Sequence, residues 1–227
     1  MKNHFEQKIF TPRAVELVTA NESALQSKNS QNSKNVSAEL QSINVTQTRL
    51  TSCCEYENYI ICAGFSGELF FVDKKALFVE RKESVANSII RCLKVIVSES
   101  ILLVSTDAGE VIVYDLCNNK KIYYEHSSSS IFNIVLKNDK TFITSERSGD
   151  IFEWEYVPGV GIFRNKKIFT AESTVFAMEL IGEKLVAVNS LGEKFEYNFS
   201  KSKLKKTQIC ESNVFCVKEG NDETAYY

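Results

Sequence analysis

Few residues of this chain are of types that do chemistry, and their spacing limits what each can do. His126 is followed by Ser127-Ser128-Ser129-Ser130. A hydroxyl becomes a nucleophile when a base takes its proton and a third group orients that base. No acid is positioned for that task, and a serine run between strands reads as a polar loop. His4 lies close to the N-terminus. Glu55 with Glu57, and Glu153 with Glu155, are carboxylate pairs, the arrangement that glycoside cleavage uses. The first pair falls in a turn and the second flanks Trp154 on a strand, so both read as solvated or structural. Cys53, Cys54, Cys62, Cys92, Cys117, Cys210 and Cys216 contain no Cys-x-x-Cys, and neither His has a ligand partner at a finger-like distance. They are expected to be reduced, small apolar residues inside strands. Pro158-Gly159-Val160-Gly161 reads as a hairpin turn, not a phosphate loop. The expectation is no catalytic residue, no cofactor, no metal and no small-molecule substrate.

The elements that carry these residues repeat. A Gly is followed at once by an acid in Phe65-Ser66-Gly67-Glu68-Leu69, Asp107-Ala108-Gly109-Glu110-Val111 and Arg147-Ser148-Gly149-Asp150-Ile151, and again in Ser190-Leu191-Gly192-Glu193-Lys194. The spacings between Gly67, Gly109, Gly149 and Gly192 are 42, 40 and 43. Five residues after each Gly stands Val72, Tyr114, Trp154 or Tyr197, and next Asp73, Asp115, Glu155 or Asn198. Two short apolar runs, β-branched or aromatic, precede each Gly. The unit is strand, turn, strand, Gly turn, strand, turn, strand. A period near 40–45 with four strands per unit predicts a β-propeller blade. Each such sheet packs both faces on its neighbours, so its strands are nearly all apolar. The Gly makes the tight turn between the second and third strands.

These residues resemble the WD-repeat family from about residue 48 onward. The Gly-acid turn and the pairs Tyr114-Asp115 and Trp154-Glu155 carry the resemblance. It implies a set of hydrogen bonds linking an Asp two residues before the Gly to a Ser/Thr, the Trp and a His. Only Asp107 keeps that Asp; Phe65, Arg147 and Ser190 replace it elsewhere. His126 stands where the family's Gly-His falls, preceded by Glu125. No blade carries the whole set, so packing is expected to hold the blades together. The fold class expected is all-β: a WD-repeat-type propeller of about four blades (50–80, 85–125, 130–170, 174–210) with a partial fifth at 213–227. The chain has 227 residues, while seven blades at this period need about 280–300. The ring is therefore expected to be incomplete, with two apolar blade faces unpaired: either the protein is truncated, or a partner or second copy covers those faces, or further blades were lost.

Residues 1–47 differ in composition. Thr11 is placed as a helix N-cap with Pro12 after it. Ala14, Leu17, Val18, Ala24 and Leu25 form one helical stripe. Ser27 to Ser33 is a polar linker, and Val36, Leu40 and Ile43 predict a second short helix. A short N-terminal helical arm results, packed on the propeller or docking into a partner. Pro12-Arg13-Ala14, Leu40-Gln41-Ser42, Arg49-Leu50-Thr51-Ser52-Cys53 and Phe65-Ser66-Gly67 together resemble the WD-repeat subunit of the spliceosomal small nuclear ribonucleoprotein (the Prp-four type). Leu50 departs from that pattern, which has Pro there. The resemblance implies a splicing role and a nuclear location.

Charge separates the remaining classes. The net charge is −2, with 44% hydrophobic and 25% charged residues, so no global field points to nucleic acid or membrane. No apolar run reaches the length of a spanning helix, and the first residues lack a signal core, which predicts an intracellular protein. The sequons at Asn21, Asn35, Asn44 and Asn198 then read as chance matches. Lys74-Lys75, Lys120-Lys121, Lys166-Lys167 and Lys205-Lys206 each follow a third strand. If they sit in the turns to the fourth strands, they make a basic ring on one face, for RNA phosphates or an acidic partner segment. Alternatively they guard outer edge strands. The chain reads as a non-catalytic scaffold with protein partners and possible RNA contact: a divergent spliceosomal component in the nucleus, or a generic adaptor in ubiquitin ligation, trafficking or chromatin, in nucleus or cytoplasm.

Overall fold

The computed structural model describes residues 14–18, 40–215, 217–219 and 225–226. Two strands, β1 (Ala14–Val18) and β2 (Leu40–Asn44), pair antiparallel, with Ala14 opposite Asn44 and Val18 opposite Leu40. Four four-stranded antiparallel sheets follow in strict chain order. Blade 1 is β3 (Leu50–Tyr56), β4 (Tyr59–Gly64), β5 (Glu68–Asp73) and β6 (Val79–Ser84). Blade 2 is β7 (Ile90–Ile96), β8 (Ile101–Thr106), β9 (Glu110–Asp115) and β10 (Lys120–His126). Blade 3 is β11 (Ile131–Leu136), β12 (Thr141–Glu146), β13 (Asp150–Val157) and β14 (Gly161–Thr170). Blade 4 is β15 (Val175–Ile181), β16 (Lys184–Asn189), β17 (Glu193–Asn198) and β18 (Lys203–Gln208). A last antiparallel pair joins β19 (Lys218–Glu219) to β20 (Ala225–Tyr226).

Burial explains why these segments are strands. Every residue of β8, Ile-Leu-Leu-Val-Ser-Thr, is buried, because neighbouring sheets cover both of its faces. Exposure rises toward the outer strands, where β18 has no buried residue. Three clusters form between blades. Ile61, Leu69 and Phe71 meet Leu93, Leu102 and Val104. Leu103 and Val113 meet Ile134, Phe142 and Trp154. Ile143 and Ile151 meet Met178, Leu185 and Phe195. In β3 and β11 the third residue also ties one blade to the next. Ser52 Oγ accepts from Leu93 N at 3.0 Å, and Asn133 Nδ2 donates to Val175 O at 3.0 Å.

The repeated glycines close the turns between second and third strands. Each glycine N–H donates three residues back, as Gly149 does to Glu146 O at 2.9 Å. Each glycine carbonyl accepts from the segment leading to the next blade: Val85 N to Gly67 O at 3.1 Å, Ser127 N to Gly109 O at 2.7 Å, Ala171 N to Gly149 O at 2.8 Å and Ile209 N to Gly192 O at 3.0 Å. At Gly67, φ is +71° and an added Cβ would lie 2.2 Å from Ala86 O. Handedness and space both require glycine there.

Two expectations change. Ala14–Val18 and Leu40–Asn44 are strands, not the arm's helices. Five residues cannot nucleate a stable helix alone, Val15 and Val18 favour extended backbone, and the paired segments satisfy each other's ladder. Thr11, Pro12, Ala24, Leu25, the Ser27–Ser33 linker and Val36 lie outside the described residues. Nor are the two end faces of the array bare. Ile43 and Val45 pack on Ile60, Cys62, Phe70 and Val72 of blade 1. Val214 and Val217 pack on Ile181, Val186 and Val188 of blade 4.

Candidate interaction surface

The acid after each glycine has a partner that the sequence did not announce. Glu68 pairs with Lys82 at 3.4 Å, Glu110 faces His126 Nε2 at 3.9 Å, Asp150 pairs with Lys167 at 2.9 Å and Glu193 with Lys206 at 2.7 Å. In every blade the partner lies on the fourth strand. The usable signal was a base placed 13 to 17 residues after the acid in all four repeats. The Thr170 hydroxyl, helped by Lys167 and opposed by burial, holds the Asp150 carboxyl below its ordinary range. Burial pushes Glu193 upward, but hydrogen bonds from Lys206 and Asn189 outweigh it and leave it lowered.

The residue after the repeated aromatic caps the next turn. Asp73 Oδ1 accepts from Lys75 N at 2.8 Å and Ala76 N at 2.6 Å. Asp115 Oδ1 accepts from Cys117 N and Asn118 N, both at 2.9 Å, and Asn198 Oδ1 from Lys201 N at 2.9 Å. These are Asx turns. Glu155 is one methylene too long for that bond, and β13 instead runs on to Val157 before the Pro158-Gly159 turn. The aromatics fill the gaps between blades: Tyr114 and Trp154 are buried, and Tyr197 packs on the third cluster. Trp154 Nε1 donates to Thr144 Oγ1 at 2.8 Å, and its ring stacks on Phe142. Asp107 joins neither Trp nor His. Arg91 Nε and Nη2 donate to its Oδ1 at 2.9 and 2.6 Å, and the Arg91 guanidinium lies 4.8 Å from the Phe132 centroid.

The chemistry-bearing residues are held in structural contacts. Ser127 donates to buried Glu146, whose carboxylate also faces Arg164 at 3.5 Å, while His126 faces Glu110. Glu153 takes Lys137 at 3.0 Å and Lys166 at 3.5 Å, Glu55 pairs with Lys74, and Glu155 is exposed. Burial pushes the Cys54 and Cys62 thiols up to about 12. Cys53 and Cys117 are exposed, so not every cysteine is an interior strand residue. Among the described residues no three His, Cys, Asp or Glu side chains are grouped to hold a metal. No helix among them is long and apolar enough to cross a membrane.

The lysine pairs do not form a ring. Lys74 and Lys75 lie in the turn after β5, but Lys120 and Lys121 begin β10, Lys166 and Lys167 lie mid-strand in β14, and Lys205 and Lys206 lie within β18. At about 3.3 Å per strand residue, mid-strand lysines stand well away from the turns. Lys74 is paired with Glu55, Lys166 with Glu153, Lys167 with Asp150, Lys205 with Glu196, and Lys206 with both Glu193 and Glu172. Those of blades 2 to 4 line outer edge strands, where charge blocks sheet-to-sheet pairing.

An apolar surface lies instead on the rim between blades 2 and 3. An open groove of about 270 Å³ runs between β10 and β14, lined by Ile122, Tyr123, Tyr124 and Glu125 on one side and Val160 to Phe163 on the other. Tyr124 is 56% exposed, Val160 62% and Phe163 46%. The Lys121 ammonium stands 5.3 Å from the Tyr124 ring centroid. Its origin is local. With Glu155 in place of a turn-capping Asp, the β13–β14 hairpin is longer than its counterparts and carries Val160 and Phe163 beside β10. A second groove, about 260 Å³, lies between blades 1 and 2 among Tyr56, Tyr59, Phe71, Arg81 and Leu116. There Arg81 covers the Phe71 ring at 3.4 Å.

No protein-family model and no curated protein matches the chain. Among solved structures it is similar to the β-propeller domain of Cps50 (Swd1) from Myceliophteria thermophila, with a TM-score of 0.64 and 15% sequence identity. The likeness covers 74% of this chain and 58% of that one, so the chain spans somewhat more than half the length of the propeller it matches. By fold, the chain is an all-β β-propeller.

Proposed function

We propose that this protein is a non-catalytic scaffold that holds protein partners in a multi-subunit complex, and that a partner docks on the rim groove between β10 and β14. One observation carries the reading. Three large apolar side chains, Tyr124, Val160 and Phe163, are exposed together around one concave site. Contiguous exposed apolar surface is costly in water and marks interaction sites. Aromatic anchors dominate such interfaces. The WD-repeat-type fold supports a protein-binding role. The test is affinity purification of the full chain and of a Tyr124→Glu/Phe163→Glu variant. Both side chains are exposed, so the variant keeps its fold; loss of a stoichiometric partner supports the reading, and an unchanged set of partners removes it.

The narrower form of this proposal is a nuclear spliceosomal subunit. Its support is now Arg49 to Cys53 leading into β3, since the described arm residues are strands and five of the eight lysines offered to RNA are in ion pairs. Small nuclear RNAs and splicing proteins in the purified complex would carry it; their absence beside stable partners favours an adaptor of another complex.

A further inference from the structure

Two thiols stand side by side on blade 1. We infer that Cys53 and Cys62 form an oxidation site, at which hydrogen peroxide converts the pair into a cross-strand disulfide between β3 and β4.

The strand register sets the pair. Cys53 lies directly opposite Cys62. Antiparallel pairs alternate between hydrogen-bonded and non-hydrogen-bonded, and the Cα atoms are closer in the second kind. Tyr56 and Tyr59 flank the two-residue turn Glu57-Asn58. Lys74 N donates to Asn58 O at 2.9 Å, which leaves the backbone groups of Tyr59 itself pointing at Tyr56. Tyr56 and Tyr59 are therefore a hydrogen-bonded pair, and counting along β4 makes Cys62 a non-hydrogen-bonded position toward β3. The other end of β4 agrees. Phe65 N donates to Arg49 O at 3.0 Å, which brackets Leu50 and Gly64 as a non-hydrogen-bonded pair, and Cys62 precedes Gly64 by two. At such positions the Cα atoms stand about 4.5 Å apart, inside the roughly 4.4–6.8 Å that a disulfide spans.

A bulge decides which cysteine of β3 takes part. The register shifts between Leu50 and Ser52. Beyond it, Ser52, Cys54 and Tyr56 turn toward blade 2: Ser52 Oγ accepts from Leu93 N, and Cys54 and Tyr56 pack on the first inter-blade cluster. Cys53 faces the opposite side, where Cys62 packs with Val45, Ile60 and Phe70. Cys92 packs on the cluster between blades 2 and 3, and Cys117 lies in the turn after β9.

The thiol pair is peculiar to blade 1. At the same register position stand Leu93 opposite Val104, Ile134 opposite Thr144 and Met178 opposite Ala187. Leu93, Ile134 and Met178 are buried, whereas Cys53 is exposed. The thiol that meets a soluble oxidant stands in water, and its partner Cys62 is 0% exposed beside it.

Peroxide supplies the oxidant, and the atoms balance. The Cys53 thiolate attacks one peroxide oxygen and the O–O bond breaks. The other oxygen leaves as water with the thiol's proton, and Cys53 is a sulfenic acid. The Cys62 sulfur then attacks the Cys53 sulfur, the S–O bond breaks, and that oxygen leaves as a second water with the Cys62 proton. Two thiols lose two electrons, and peroxide gains them. Burial pushes both thiols up, so the bridge forms slowly near neutrality and faster as pH rises toward 9. Once formed, it staples the β3–β4 hairpin on the face that receives Val45.

The test treats the full chain with hydrogen peroxide, blocks the remaining thiols and maps peptides by mass spectrometry. Cleavage after Glu55 and Glu57 separates Cys53 from Cys62. A Cys53–Cys62 bridge in monomer is expected, reversed by dithiothreitol, with both positions lost together from thiol labelling of the unfolded chain. Cys54→Ala should keep the bridge and Cys53→Ser should abolish it. Exposed Cys117 reports that oxidant has reached the protein. Free thiols at 53 and 62 after Cys117 has been oxidised would overturn the site. So would a sulfinic acid at Cys53 beside an unmodified Cys62, a bridge found only between two chains, or a bridge that survives Cys53→Ser. The site goes beyond the scaffold reading and shares no residue with the rim groove, so either proposal can fail alone.

Discussion

Trp154 combines three roles: it is buried, stacks on Phe142 and donates to Thr144. Trp154→Ala should cost about 3–5 kcal/mol in denaturant unfolding, because it opens a cavity and strands a hydroxyl. The residues that follow the repeated third-strand position separate by one methylene. Asp115→Ala removes the acceptor of two backbone N–H groups and should cost about 1 kcal/mol, while Glu155→Ala, on an exposed strand position, should stay within about 0.5 kcal/mol. Acid sensitivity belongs to this scale too. Asp115, Asp150 and Glu193 are all held below their ordinary values, 3.8 for Asp and 4.5 for Glu. A carboxyl lowered in the folded state stabilises it above the unfolded value, and that stability is lost as pH falls through the folded one. Thermal unfolding should therefore be level near neutrality and decline from about pH 4.5 downward. Raising the pH from 6 to 8 should not produce that decline. Thiol labelling reads burial directly: Cys117 should react first, and Cys54 and Cys62, raised to about 12, only on unfolding.

At the level of elements, the Gly turn is where local chain chemistry meets the joint between blades. Gly67 and Gly159 share a left-handed φ, +71° and +75°, but differ in surroundings. A Cβ at Gly67 meets the Ala86 carbonyl, whereas at Gly159 nothing lies within 4 Å. Gly159→Ala should cost only the backbone term, about 1–2 kcal/mol, and Gly67→Ala clearly more, read as a larger drop in unfolding midpoint. Strand order and the Gly turns were legible in the sequence because period, turn chemistry and apolar runs agree in every repeat. Residues 14–18 and 40–44 were not. Ala14, Leu17 and Val18 fit a helical stripe, and no local feature reveals that the segments pair across 21 intervening residues. The rim groove was hidden for a related reason. Tyr124 and Phe163 are 39 residues apart and become neighbours only when two outer strands are set side by side. The lysine pairs follow a third strand in sequence, but β14 and β18 carry theirs mid-strand, so adjacency to a turn in sequence does not fix position on a face.

For the whole molecule, the blades are similar in construction but not in surface. Inner joints repeat from blade to blade through the same positions, so they carry stability and say little about partners. What distinguishes the molecule is the asymmetry of its rim, where one long hairpin beside β10 leaves Tyr124, Val160 and Phe163 in water. The outer-strand lysines serve as an internal control, since they are charged, numerous and largely paired with acids. The most direct measurement compares the proteins retained by the full chain, by Tyr124→Glu/Phe163→Glu and by Lys75→Glu/Lys120→Glu, quantified by mass spectrometry at two salt concentrations. The groove variant should lose its principal partner at both salts while the lysine variant keeps it. Retention by the groove variant, with salt-sensitive loss in the lysine variant, would contradict docking at the rim.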